Sequence, residues 1–106
     1  MTFRVLVLRR AEAEVGAIAQ WLAARSAEGA LRWLDAFDLA KDALASNPLS
    51  GELAPEDEFV DVEVRQILFE TRHGNRYRVL YVVEVNDVRI LHVRGPRQPL
   101  IPSDEL

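Results

Sequence analysis

The chain has 106 residues, 49% of them apolar and 28% charged, a composition that fits one globular domain spanning 1–106 with a real core. It has no cysteine, which excludes a disulfide framework and a thiolate metal site. A net charge of −4 argues against indiscriminate nucleic-acid binding, and no apolar run approaches the ~20 residues needed to span a bilayer.

The N-terminal run Phe3 to Leu8 (FRVLVL) is rich in β-formers and reads as a strand. Arg4 interrupts it and charges follow it, so it is not a signal peptide, and the expected location is cytoplasmic. Val5 and Val7 fall on one side and Leu6 and Leu8 on the other, the pattern of a strand buried on both faces.

Ala11 to Arg25 carries a helical stripe. Ala11, Val15, Ile18 and Leu22 recur at helical spacing, and Glu12 and Glu14 are placed to complement the helix dipole. Ser26 to Gly29 breaks the pattern. A second helix is expected from about Ala30 to Ser46, with Ala30, Trp33, Phe37, Ala40 and Leu44 on one stripe. Pro48 ends it, because the residue before a proline disfavours the α region. The short link predicts an antiparallel helical hairpin, with Trp21 and Trp33 as packing residues.

Asn47 to Asp61 is a proline-containing, acidic stretch that reads as a solvated loop, without the spacing of a calcium loop. Three antiparallel strands are then expected. Val62 to Glu70 leads through a turn at His73-Gly74-Asn75 into Arg76 to Val85. Asn86-Asp87 predicts a tight two-residue turn into the last strand. That turn sets Glu84 opposite Arg89, Val83 opposite Ile90 and Tyr81 opposite His92. It puts Leu80, Val82, Leu91 and Val93 on one face, and Val79, Tyr81, Val83, Ile90, His92 and Arg94 on the other. Both faces are apolar in the middle. Helices cover only one, so the second suggests a surface for a partner chain, or else a place for the tail after Pro99 to fold back.

The stretch Arg65 to Arg97 holds seven arginines against Glu70, Glu84 and Asp87, or 7 − 3 = +4, which leaves −4 − 4 = −8 on the rest. A basic sheet on an acidic scaffold points to an anionic target or partner. His73 and His92 are the two groups that could titrate near neutrality.

The element order, with Tyr77-Arg78-Val79-Leu80-Tyr81 on the middle strand, Leu91-His92-Val93-Arg94 on the last and Arg97 beyond it, resembles the RelE/ParE superfamily of bacterial toxins. The end of the second helix, Ala43-Leu44 through Asn47-Pro48 to Gly51, is also similar. The resemblance implies an α+β fold: an N-terminal strand, a helical hairpin and a three-stranded antiparallel sheet. It also implies the toxin half of a type II toxin–antitoxin module, neutralised by a cognate antitoxin in a hetero-oligomer, with no cofactor. ParE-like members poison DNA gyrase, and RelE-like members cleave mRNA on the ribosome.

A nuclease of that kind would draw on Arg78, Arg97 and Arg65 for phosphate stabilisation, since a guanidinium stays charged and grips phosphate at two points. The chain lacks the lysine pair of RelE-like nucleases around Val62 to Ile67, and the tyrosine of their C-terminal segment. The ParE-like reading needs only a surface, expected at Tyr81, His92, Arg94, Val83 and Ile90. A third reading is a non-toxic binding module of the same fold.

Overall fold

A computed structural model describes residues 2–71 and 75–106. Strand β1 (Arg4–Val7) leads into helix α1 (Arg9–Ala23) and helix α2 (Ala27–Ser46). A two-residue strand β2 (Glu52–Leu53) and a 3-10 helix (Pro55–Phe59) precede β3 (Arg65–Glu70), β4 (Arg76–Glu84) and β5 (Asp87–Arg94). A last 3-10 turn (Ser103–Glu105) follows. The turn expected at His73-Gly74 lies outside the described residues.

The helices form as the stripes predict. Ala11 of α1 is fully buried, and Val15, Ile18 and Leu22 pack on the same core. On α2, Ala30, Trp33, Phe37 and Leu44 are buried. Trp33 stacks on Phe37 at 6.0 Å and meets Tyr77 edge-on at 5.4 Å, with Phe69 5.8 Å away, so four rings join the helix to the sheet. Helix α2 starts three residues earlier than expected. The Ser26 hydroxyl accepts the Gly29 N–H at 3.0 Å, and this cap holds Glu28 and Gly29 in the first turn. Trp21, expected to pack, is instead 57% exposed, with the Arg25 guanidinium 3.7 Å over its ring.

The sheet corrects the expected architecture. It is mixed and has five strands, in the order β1-β5-β4-β3-β2. β1 pairs in parallel with β5, and β2 pairs antiparallel with β3. Without β1, the edge of β5 would be bare. The helical hairpin provides the crossover that a parallel neighbour requires.

Two further corrections concern the β4–β5 hairpin. The turn falls on Val85-Asn86 rather than Asn86-Asp87, and Val83 pairs with Val88 and Tyr81 with Ile90. Asp87 is held inside the strand by Arg4, through Nε at 3.0 Å and Nη2 at 2.9 Å. The predicted Glu84–Arg89 ion pair exists at 3.2 Å, but as diagonal neighbours, because Arg89 stands opposite Val82. The register then slips by one residue between Leu80 and Tyr81, so that Leu80 faces His92, Val79 faces Val93 and Arg78 faces Arg94. A one-residue slip exchanges faces. Val93 therefore joins the helix-side core, and His92 and Arg94 turn to the opposite face, the reverse of the expectation.

That opposite face is covered by the chain itself. Ala54, Val64, Leu80, Val82 and Ile101 form a second buried cluster, with Val60, Leu91 and Leu106 against it. The tail and the α2–β3 connection take the place that a partner chain was expected to fill.

Candidate functional site

The polar residues on this covered face lie in two linked groups. In the first, Arg78 on β4 meets Glu56 of the 3-10 helix through two parallel hydrogen bonds, Nη1 to Oε1 and Nη2 to Oε2, both 2.9 Å. Nη1 also donates to Gln66 Oε1 at 2.8 Å, and Glu56 Oε2 accepts the Ile101 N–H at 3.0 Å. Glu56 has no solvent exposure, and the Arg78 side chain is 17% exposed. Burial pushes the Glu56 carboxyl up, but Arg78 and the Ile101 amide outweigh it and hold the group below the usual carboxylate range.

The sequence predicts a solvated loop around Glu56, whereas the structure buries it. Pro55 opens a short 3-10 helix that turns the carboxylate inward under Arg78. The signal was Arg78 itself, an arginine midway along an apolar strand, which requires a counter-charge once the face is covered.

In the second group, Glu14 of α1 replaces a neighbouring strand where β1 has ended. Its Oε1 accepts the Val93 N–H at 2.9 Å, and its two oxygens lie 3.2 and 3.1 Å from His92 Nδ1. The helix-dipole role expected for Glu14 falls to Glu12 alone. His92 Nε2 sits 2.8 Å from the Glu105 carbonyl. Arg94 donates to the Pro99 carbonyl at 2.9 Å, and Arg10 reaches Glu105 Oε1 at 3.3 Å.

The three arginines considered for phosphate chemistry do not share a face. Gln66 and Leu68 lie opposite Leu80 and Arg78, whereas Arg65 lies opposite Tyr81 on the helix side. Arg65 is committed to Glu63 Oε1 (Nε at 2.7 Å) and to the Gly51 carbonyl (Nη1 at 2.7 Å). Arg97 lies beyond β5, exposed, with φ 67°, on a cleft of about 530 Å³ lined by Ile18, Trp21, Tyr77 and Pro96. For Arg78 to hold a phosphate it would first have to leave Glu56, stranding a buried carboxylate at a cost of about 3–5 kcal/mol.

The expected binding residues are largely interior. Tyr81 and Ile90 have no exposure and His92 has 2%, so these three form no open surface. The Tyr81 hydroxyl donates to the Pro48 carbonyl at 2.6 Å and accepts the Gly51 N–H at 3.2 Å; it ties down the end of α2. Burial raises its pKa, which keeps that donor in place. Val83 is half-buried and, with Leu49, Val62, Val82 and Arg65, lines an open groove of about 480 Å³. Leu49, Leu53, Phe59 and Val62 are exposed along the α2–β3 connection, and Leu49, Leu53 and Val62 line its open grooves; the acidic residues between them mask this apolar character in the sequence.

Among the described residues, no three His, Asp or Glu side chains gather into a set that could hold a metal ion, and no helix is long and apolar enough to cross a membrane.

Residues 5–99 match the model of the family described as the ParE toxin of the type II toxin–antitoxin system parDE, within the superfamily that the strand motifs resemble. Among curated proteins, none matches the chain at a significant level.

Proposed function

The chain belongs to the ParE toxin family of type II toxin–antitoxin systems, and on that premise we propose that it is a ParE-like toxin that arrests growth by acting on DNA gyrase and is neutralised by a cognate antitoxin. The family match over residues 5–99 carries this reading. The geometry of the arginines supports it: Arg78 is neutralised by Glu56, Arg65 lies on the other face, and Arg97 stands apart on its own cleft. A metal-free ribonuclease needs its phosphate clamp and its acid and base around one reacting group. A gyrase-directed toxin needs only a binding surface. For the antitoxin, the open groove at Val83 and Arg65, beside the exposed Leu49 and Val62, offers apolar area of the kind protein partners bury.

The test is expression of the chain alone and together with any short reading frame found beside its gene. The expected result is growth arrest with gyrase-linked DNA breaks, relieved by co-expression, and loss of supercoiling by purified gyrase when the protein is added. Cut mRNA on translating ribosomes with gyrase unaffected would replace this reading with the RelE-like nuclease. Normal growth and no effect on either target would leave the third reading, a non-toxic binding module.

A further inference from the structure

We propose that the C-terminal tail is a latch over the second face of the sheet, closed while His92 is protonated and loosened when His92 loses its proton. The observation is the ring's environment. Nδ1 faces the two Glu14 oxygens at 3.2 and 3.1 Å, and Nε2 faces the Glu105 carbonyl at 2.8 Å. A carboxylate and a carbonyl only accept hydrogen bonds, and a neutral imidazole has only one N–H to give. Only the imidazolium serves both sides, and at 2% exposure no water replaces a missing partner.

The surrounding charges decide which side releases. Helix α1 contributes Glu14 and Arg10, β5 contributes Arg94 with Nη1 3.9 Å from Glu14 Oε2, and the tail contributes Glu105, whose carboxylate takes Arg10 at 3.3 Å and whose carbonyl takes it only at 3.5 Å, so the short bond to that carbonyl is the one from His92. Arg78, one strand over, is already engaged with Glu56. Burial lowers the His92 pKa and Arg10 adds to that. The Glu14 hydrogen bond, the Glu105 carbonyl and the Glu14 charge outweigh both, so the net shift is upward from 6.5. A group raised in this way stabilises the fold fully below its unfolded pKa and stops doing so as pH rises through its folded pKa. When one proton remains, the charge-assisted bond to Glu14 keeps it. Nε2 then turns a lone pair toward the Glu105 carbonyl, and the tail side is the one that lets go.

What the tail covers gives the latch its consequence. Ile101 stays tied to Glu56 through its N–H, so the loosened part runs from Pro102 to Leu106. Leu106 packs against the cluster that holds Leu80 and Val82, and its departure opens that edge of the covered face.

The test is a titration of the full chain by NMR, following the His92 ring together with hydrogen exchange of the Glu105 and Leu106 amides, which bond back to Pro102 and Ser103. After correction for the intrinsic pH dependence of exchange, their protection should fall roughly tenfold, the scale of one charge-assisted hydrogen bond. Its midpoint should coincide with that of His92 and lie above 6.5. Val79 and Tyr81 amides should not change. In His92→Gln the transition should vanish, and removing Ser103 to Leu106 should bring the His92 midpoint down toward its ordinary value. A His92 midpoint below 6.5, tail protection indifferent to it, or a midpoint unmoved by the truncation would overturn the latch.

Discussion

Arg78 and Glu56 are joined by two parallel hydrogen bonds of 2.9 Å on a face where Glu56 sees no solvent. The pair ties together β4, the α2–β3 connection and, through the Ile101 amide, the tail. Removing one partner leaves the other buried and uncompensated, so Arg78→Ala should cost about 3–5 kcal/mol in urea denaturation. The double replacement Arg78→Met with Glu56→Leu should recover most of that loss. If Arg78→Ala is nearly neutral, the pair is not closed in solution.

The same carboxylate sets an acid limit. Its pKa is depressed in the folded chain, so its contribution is complete above the ordinary 4.5 and disappears as pH falls through the lower folded value. Stability measured from pH 6 to pH 2 should therefore drop through the lower part of that range, and Glu56→Gln should flatten the drop, with its loss of stability largest at pH 6 and shrinking toward pH 2. An unchanged acid slope in Glu56→Gln would show that other carboxylates control it.

Much of this fold is legible in the sequence because apolar spacing reports it directly. The stripes of Val15, Ile18 and Leu22, and of Trp33, Phe37 and Leu44, face the sheet as their periods require. The faces of β4 also follow from alternation. The site is less legible, and the reasons are local. Glu84 and Arg89 attract each other in two registers, side by side or diagonally, so their charges could not choose the turn. The one-residue slip beside Leu80 has no marker such as glycine, yet it sends His92 and Arg94 to the other face. Glu56 looks solvated among its acidic neighbours, but the 3-10 helix turns it under Arg78 and the tail's Ile101 N–H closes over it.

Gly51 should be intolerant of any side chain. A Cβ there would collide with the Tyr81 hydroxyl and the Gln66 carbonyl, just before β2 begins. The backbone carbonyl cannot give way without breaking the β2–β3 pairing, in which Glu52 faces Gln66. Gly51→Ala should lose about 1–3 kcal/mol, the usual cost of overpacking a tight site. Tyr81→Phe in the Gly51→Ala background should recover part of it, because it removes one of the two colliding atoms. No rescue would place the whole conflict at the Gln66 backbone.

Val85 is the clearest opportunity for stabilisation. It has φ 51°, the left-handed region that crowds a β-branched side chain, and it is 91% exposed, so it has almost no packing to lose. Hairpin turns of this length favour asparagine or glycine at such positions. Val85→Asn keeps a side chain that tolerates the conformation and removes an exposed valine from the tip. The expected outcome is a gain of about 1 kcal/mol, read as a shift in the urea midpoint with an unchanged slope. Val85→Gly should also gain, because Asn86 is not at positive φ and a two-residue turn with positive φ at its first position alone favours glycine there. Loss of stability in both variants would mean that Val85 does not hold this conformation, and that the turn lies on Asn86-Asp87 after all.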